Sequence, residues 1–214
     1  LFGLTAEQTA HALVLTATSI GGLTKAANTS IAREYHAGNA TMLAIEAVLA
    51  AKHGYTGELN VFEVDRGFCQ IYGGSDGAGI VEGLGAEWDI VTDMALKLVP
   101  GGHPYHALGE AGANAAREGN IAPEEVASIT VSRPGMTALS GPLHPKDLID
   151  MAHSPAYFTA AGVRDHAFGW VHASPEKIDD PVIHGLIDKV RVGPEPIDNL
   201  EDYRQGASVS IETM

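Results

Sequence analysis

The sequence contains little cysteine and few cationic residues, and each scarcity narrows the class of protein. Cys69 is the only cysteine in 214 residues, which excludes an internal disulfide framework and a multi-cysteine metal site. We therefore expect a reducing, cytoplasmic location. Lysine and arginine total 13 against 27 acidic residues, a formal net charge of −14. Because phosphate groups require a basic surface, we expect no nucleic-acid partner and no anionic membrane partner.

Several common motifs are also missing. The sequence has no Walker A loop, no His-Glu-x-x-His and no Gly-x-Ser-x-Gly. The glycines between residues 73 and 85 do not form the dinucleotide-binding pattern, and the ten histidines are scattered along the chain. No apolar run reaches the roughly 18 residues that span a bilayer. We therefore expect no cofactor, no metal ion and no membrane contact.

Hydrophobic periodicity predicts an α+β fold. Helices are predicted over residues 6–22 and 33–52, with short helices and turns over 57–85. Alternating apolar residues predict strands over 88–98, 126–131 and 189–192. Between them, helices are predicted over 106–117, over 146–169 with a break, and over 180–187. We assign residues 1–86 to part of a helical domain, 87–193 to an α+β domain, and 194–214 to a linker and the start of a return to the helical domain.

The first candidate cluster begins the helix predicted over 33–52. Arg33 and His36 are three residues apart and share a helical face. Free backbone N–H groups and the positive end of the helix dipole favour an anion there, so the cluster suits a carboxylate. The alternative is that His36 caps or packs and that Arg33 is solvated.

Two further clusters combine groups that bind anions and move protons. Lys97 precedes a glycine turn that carries His103 and His106; lysine can hold an anion, and histidine can transfer a proton near neutral pH. The alternative is an exposed loop with ordinary polar residues. His153 and Tyr157 are four residues apart and share a predicted helical face. The alternative for Tyr157 is a core aromatic residue with a satisfied hydroxyl.

Taken in order, these clusters resemble the MmgE/PrpD family, which includes 2-methylcitrate dehydratase, cis-aconitate decarboxylase and iminodisuccinate epimerase. The similarity extends over nearly the whole chain. It rests on His36-Ala-Gly-Asn-Ala, Gly54-Tyr-Thr-Gly, Lys97-Leu-Val-Pro with a following histidine, Ser154-Pro-Ala-Tyr, and Asp180-Pro followed by Val190-Arg-Val.

The resemblance implies an all-helical domain followed by a smaller α+β lid domain, with the active site in the cleft between them. It implies a cofactor-free lyase that abstracts a proton next to a carboxylate of a small di- or tricarboxylate and eliminates water, or else a decarboxylase or epimerase. His153, four residues before the tyrosine, favours the dehydratase form. The implied catalytic residues are His103, His106, His153 and Tyr157, and the implied substrate-binding residues are Arg33, His36 and Lys97.

The sequence departs from the family in two ways. Arg33 stands where the family has a lysine, and arginine binds a carboxylate well but carries protons poorly. Family members are also substantially longer, and the apolar alternation of the last residues continues to the end of the chain. We therefore expect a partial chain that acts as a homodimer or with a chain that supplies the missing half. The alternatives are a non-catalytic carboxylate-binding subunit and a structural fragment.

Overall fold

The computed structural model describes residues 2–19, 21–24, 30–75, 77–94, 96–97, 99–195 and 206–214. It has the α+β architecture that the sequence predicts, with helices and one small sheet. The described residues form two units. The described residues of 2–24 and 31–94 form the first unit. Those of 96–214, together with Ser30, form the second. Within the described part, no helix is long and apolar enough to cross a membrane.

The first unit is helical. Its elements are α1 (Ala6–Ala17), α2 (Ala32–Lys52), α3 (Phe68–Gly73), a 3₁₀ turn (Ala78–Val81) and α4 (Asp89–Thr92). The prediction for residues 33–52 is confirmed, as is the prediction of short helices and turns over 57–85. Helices α1 and α2 pack together through small buried side chains, including Ala12 and Ala47.

Helix α1 begins where the sequence predicts and ends earlier. A capping box starts it: the Gln8 amide donates to the Thr5 hydroxyl at 3.2 Å, and the Thr5 amide donates to the Gln8 side chain at 3.0 Å. The helix stops at Ala17 rather than at residue 22. Near its end the Thr16 and Thr18 hydroxyls donate to main-chain carbonyls, which offers the backbone an alternative to further helix.

The strand predicted over residues 88–98 is wrong. None of its described residues is in a strand, and residues 89–92 form a helical turn in which the Val91 amide donates to the Trp88 carbonyl at 2.8 Å. Leu98, which belonged to the predicted alternation, lies outside the described residues. A strand needs a neighbour for its backbone hydrogen bonds, and the apolar side chains of this segment are exposed instead of packed on a sheet.

The second unit contains a small sheet and several helices. Its elements in chain order are α5 (His103–Gly119), β1 (Val126–Ser132), α6 (Leu148–Ala152), α7 (Pro155–Asp165), α8 (Pro175–Ile178), α9 (Pro181–Ile187), β2 (Val190–Val192) and β3 (Ser208–Thr213). The predicted break within residues 146–169 falls between α6 and α7. Ser154 caps α7 by accepting a hydrogen bond from the Tyr157 amide, and Pro155 lies in its first turn.

The sheet has the strand order β2-β1-β3. Strand β1 pairs in parallel with β2, with Ile129 opposite Val190, and antiparallel with β3, with Ile129 opposite Ile211. The parallel pair is joined by the helical segment from α6 to α9, as a parallel connection requires. Strand β3 therefore belongs to this sheet, whereas we had expected the end of the chain to begin a return to the helical domain. Residues 196–205 of the predicted linker lie outside the described residues.

Close contact between α5 and α7 depends on glycine. A methyl group at Gly162 would lie 2.1 Å from the Gly109 carbonyl oxygen, and one at Gly112 would lie 2.8 Å from the Thr159 carbonyl oxygen. Because the two backbones approach this closely, all residues of α7 from 155 to 163 are buried. This packing fixes the position of α5, whose first turn carries two of the predicted site histidines.

Candidate functional site

The two histidines predicted on a turn lie on a helix. Helix α5 begins at His103, three residues earlier than predicted, because Pro104 fits the first turn with its fixed φ and missing amide. His103 and His106 are therefore three residues apart on one helical face. Their ring centroids are 5.5 Å apart with an interplanar angle of 83°.

The loop before α5 is held against α6 and α7. Gly101 has φ +124°, and a methyl group there would lie 2.5 Å from the Phe158 ring. The Gly102 amide donates to the Ala152 carbonyl at 2.9 Å. Glycine is required at residue 101 by both the positive φ and the close approach to Phe158. These contacts hold the start of the helix that carries His103 and His106 in place on the second unit.

His106 has the surroundings of a neutral imidazole. Its ring stacks on Phe158, with centroids 5.8 Å apart and an interplanar angle of 24°. Its Nε2 atom is buried and has no hydrogen-bond partner among the described residues. Burial first, then the neighbouring His103 ring and the Lys97 ammonium, lowers the pKa of His106 below its ordinary value of 6.5. His106 is therefore uncharged at neutral pH and able to accept a proton.

His106 also lines a cavity of about 280 Å³ within the second unit. Glu110, Asn114 and Arg117 of α5 line the same cavity, and Phe168 forms part of its wall. Arg117 donates to the Asn114 side chain and to the His166 carbonyl. Glu110, Asn114 and Arg117 were not predicted from the sequence, although their spacing of four, eight and eleven residues from His106 on a predicted helix places them near one face.

Lys97 is exposed close to His106, which it influences electrostatically. In the described part of the second unit, no carboxylate lies within ion-pair distance of its ammonium group. The structure therefore brings together Lys97, His103 and His106, as the second cluster predicted. An unpaired cation beside a neutral imidazole can hold a carboxylate while the imidazole takes a proton.

His153 lies at the C-terminal end of α6, beside the residue whose carbonyl holds Gly102. Its Nδ1 atom is 2.8 Å from the Ile149 carbonyl oxygen. Because a carbonyl only accepts, Nδ1 carries the proton, and Nε2 is the basic nitrogen of the neutral ring. His153 is half-buried, so its ring remains partly accessible from solvent.

Tyr157 is completely buried in the core of the second unit. Its hydroxyl donates to the His172 carbonyl at 2.7 Å. Burial, with Asp180 and Asp165 nearby, raises the pKa of Tyr157 well above its ordinary value, so it stays protonated. These surroundings are those of a core aromatic residue with a satisfied hydroxyl, and a catalytic role for Tyr157 stays a prediction.

A charged network surrounds the end of α7. The Asp165 carboxylate accepts from His172 Nε2 at 3.1 Å, from the Lys177 ammonium and from Arg164 Nη1 at 3.0 Å. Because the Asp165 carboxylate only accepts, His172 Nε2 carries a proton, while Nδ1 lies 3.0 Å from the Gly169 amide nitrogen and 3.1 Å from the Gly169 carbonyl oxygen. This network supports the Tyr157 hydrogen-bond acceptor and was not predicted from the sequence.

Arg33 and His36 lie in the first unit, on the first turns of α2. His36 lines a cavity of about 350 Å³ with Asn39 and Leu43. Gly22, at φ +109°, packs on its ring: a methyl group there would lie 3.3 Å from Nδ1. The seven predicted residues thus divide between the units, with two in the first and five in the second. Across the described ranges, no group of three or more histidine, cysteine or acidic side chains is placed to hold a metal ion.

The architecture defines an α+β protein whose second unit carries a lysine-histidine cluster at the start of a helix. Comparison with known families assigns the first part of the chain. Residues 1–80 match the MmgE/PrpD N-terminal domain, the family that the sequence motifs resemble. The matched residues include Arg33 and His36 and end before Lys97. No curated protein matches the chain.

Proposed function

We propose that the protein is a cofactor-free lyase of the MmgE/PrpD type that removes a proton next to a carboxylate of a small di- or tricarboxylate and eliminates water. The family match over residues 1–80 supports this class of reaction. The observation that carries the proposal is His106, a neutral imidazole beside Lys97. Among the described residues, the buried Nε2 of His106 has no hydrogen-bond partner and Lys97 has no carboxylate within ion-pair distance.

His106 is the proposed general base. A base must be uncharged before it accepts a proton, and the lowered pKa of His106 satisfies this at neutral pH. Stacking on Phe158 fixes the ring plane, so the basic nitrogen is held in one direction before substrate binds. His103, 5.5 Å away, is its nearest candidate for relaying the proton.

Lys97 is the proposed carboxylate anchor. Abstraction of a proton next to a carboxylate builds negative charge on that group, and a nearby ammonium stabilises the charge most when it forms. Arg33 and His36 are proposed as further substrate-binding residues. Because both lie in the first unit, replacing either one tests this role without altering the second unit.

His153 and Tyr157 are the remaining catalytic candidates. In a dehydration the carbon–hydrogen bond breaks toward the base, a double bond forms, and hydroxide leaves with a proton as water. His153 is the proposed donor of that proton once Nε2 is protonated, since its Nδ1–H already donates to Ile149. We assign Tyr157 no step, because its hydroxyl proton is engaged with the His172 carbonyl.

The proposal is tested by incubating the purified chain with 2-methylcitrate, citrate or cis-aconitate and following the products by NMR. A new double bond indicates dehydration, loss of CO₂ indicates the decarboxylase alternative, and inversion of a chiral substrate indicates the epimerase alternative. We expect Lys97→Ala and His106→Asn each to lower kcat/KM by at least about 100-fold. The acid limb of kcat/KM should have its midpoint below pH 6.5, following the lowered pKa of His106.

Two variants serve as controls. Lys146→Ala removes an exposed lysine of the second unit, and His53→Ala removes an exposed histidine of the first. Both should leave turnover unchanged. Unchanged kinetics in Lys97→Ala and His106→Asn would overturn the site assignment. Calorimetric binding of a tricarboxylate without turnover would favour the carboxylate-binding subunit, for which the presence of Arg33 in place of the family lysine is the motivating observation.

A further inference from the structure

Two histidines that are 40 residues apart in the chain meet through their ring nitrogens. His144, in the irregular segment between β1 and α6, has its Nδ1 atom 2.9 Å from Nδ1 of His184 on α9. His144 Nε2 lies 2.9 Å from the Asp188 carboxylate, and His184 Nε2 lies 2.7 Å from the Ile178 carbonyl oxygen. The four groups form a continuous chain of contacts outside the site described above.

The ring geometry shows that the contact is edge to edge. The two ring planes differ by 11°, and their centroids are 5.2 Å apart. A ring nitrogen lies roughly 1.1 Å from its centroid, so coplanar rings joined through nitrogens at hydrogen-bond distance have centroids about 5.1 Å apart. The Nδ1 lone-pair directions of His144 and His184 therefore converge on one point between the rings.

The hydrogen-bond partners show which nitrogens are left to bind a cation. The Ile178 carbonyl and the Asp188 carboxylate only accept, so Nε2 of each ring carries a proton. In a neutral imidazole the other ring nitrogen then presents a lone pair. The two Nδ1 lone pairs face each other at 2.9 Å, so a cation between them would be bound by both rings.

We propose that His144 and His184 form a binding site for a divalent transition-metal ion such as Zn²⁺, held by their two Nδ1 atoms. Imidazole nitrogen suits such ions, and a ligating histidine normally donates its other N–H to a carboxylate or carbonyl. Both rings already meet this condition through Asp188 and Ile178. Each ring then supplies one lone pair to the ion.

The site is accessible and adaptable. The His144 side chain is 45% exposed and that of Asp188 is 70% exposed, so an aqueous ion reaches the pair without unfolding. With zinc–nitrogen bonds of about 2.1 Å and tetrahedral angles, the two Nδ1 atoms would lie about 3.4 Å apart. Binding therefore requires the two Nδ1 atoms to move apart from 2.9 Å and the rings to turn toward the ion, and His144 lies in a loop. Water completes the coordination, since the pair supplies two ligands.

The test is isothermal titration calorimetry with Zn²⁺ on the full chain, with histidine NMR on the same samples. We expect saturable Zn²⁺ binding that perturbs the His144 and His184 rings. His144→Ala and His184→Ala should each weaken binding at least tenfold. Asp188→Asn should weaken it less, because it only orients His144.

His53→Ala is the matched control, since His53 is an exposed histidine outside the cluster, and it should leave the affinity unchanged. His144→Ala alters an exposed loop residue, so it keeps the test decisive even if His184→Ala disturbs α9. Unchanged Zn²⁺ affinity in His144→Ala, or no Zn²⁺-dependent change at either ring, would overturn the proposal.

Discussion

The two units differ in how their helices are buried. In the second unit, α7 is buried along nine consecutive residues and contributes large side chains such as Phe158 to the core. In the first unit, α1 and α2 bury small side chains such as Ala12 and Ala51, while larger ones remain exposed: Leu13 is 60% exposed and Met42 51%. A buried Phe side chain contributes about 1.5–3 kcal/mol, and an alanine contributes much less. This difference indicates that the stability of the second unit depends on close packing, whereas the stability of the first unit depends more on local helix formation.

The largest expected effect comes from glycines placed in the two units. Gly162→Ala should lower the free energy of unfolding by about 3 kcal/mol, because its methyl group would lie 2.1 Å from a backbone oxygen of α5. Gly38→Ala, in α2 with open space around it, should instead stabilise by up to about 1 kcal/mol. Urea unfolding of the two variants measures both values. If both variants changed the free energy of unfolding in the same direction, the difference between the two units would be contradicted.

The next effect concerns the charged network at the end of α7. Burial raises the pKa of Asp165, but the Lys177 hydrogen bond and the nearby Lys177, Arg164 and His172 charges outweigh it and hold the pKa below 3.8. Its contribution to stability is therefore complete above pH 3.8 and is lost as the pH falls through the lower folded value. Asp165→Asn should cost about 2 kcal/mol at neutral pH and flatten the acid limb of stability.

Urea unfolding from pH 2 to pH 7 checks the prediction for Asp165. Glu118→Gln is the comparison variant, because Glu118 is an exposed acidic residue of the same unit. An acid limb equally steep in Asp165→Asn and in the unmodified chain would contradict the assignment.

Tyr157→Phe should produce a smaller loss of stability. It removes the buried hydrogen bond to the His172 carbonyl and leaves the ring packing intact, so the expected cost is about 1 kcal/mol. Turnover should change only a few-fold, because the hydroxyl is fully buried. A loss of turnover by orders of magnitude, with stability unchanged, would support the catalytic role that the family resemblance implies.

The smallest effect is expected at the start of α1. Thr5→Ala removes the capping box and should cost about 1 kcal/mol or less, since the Thr5 and Gln8 side chains are exposed or only partly buried. Thr5→Ser should retain most of the stability. Circular dichroism with urea unfolding measures both variants, and a cost above that of Gly162→Ala would reverse the comparison between the units.

The helices with local signals were predictable from the sequence. The periodicity of α2 and the capping box of α1 are written in residues close together in the chain. The alternation over residues 88–98 was misleading because a period of two predicts a strand only where a partner strand exists. Strand β3 shows the converse: its alternation was recognised, but its pairing with β1 joins residues about 80 apart, such as Ile129 and Ile211.

The part of the candidate site that lies within one short segment of the chain was also predictable from the sequence. Lys97, His103 and His106 are neighbours in the chain, so spacing sufficed to bring them together. The neutral state of His106 depends on Phe158, which arrives from another helix. The Asp165 network and the His144–His184 pair likewise join separate segments, so the local spacing of residues does not predict them.

By itself the sequence determined the α+β class, the acidic charge and the match of residues 1–80 to the MmgE/PrpD N-terminal domain, because these depend on composition and on short-range order. Only the tertiary structure decided which side chains lose water and which ring nitrogens meet. Burial and hydrogen-bond partners come from segments far apart in sequence. Those surroundings lower the pKa of His106, raise the pKa of Tyr157 and bring the His144 and His184 ring nitrogens together.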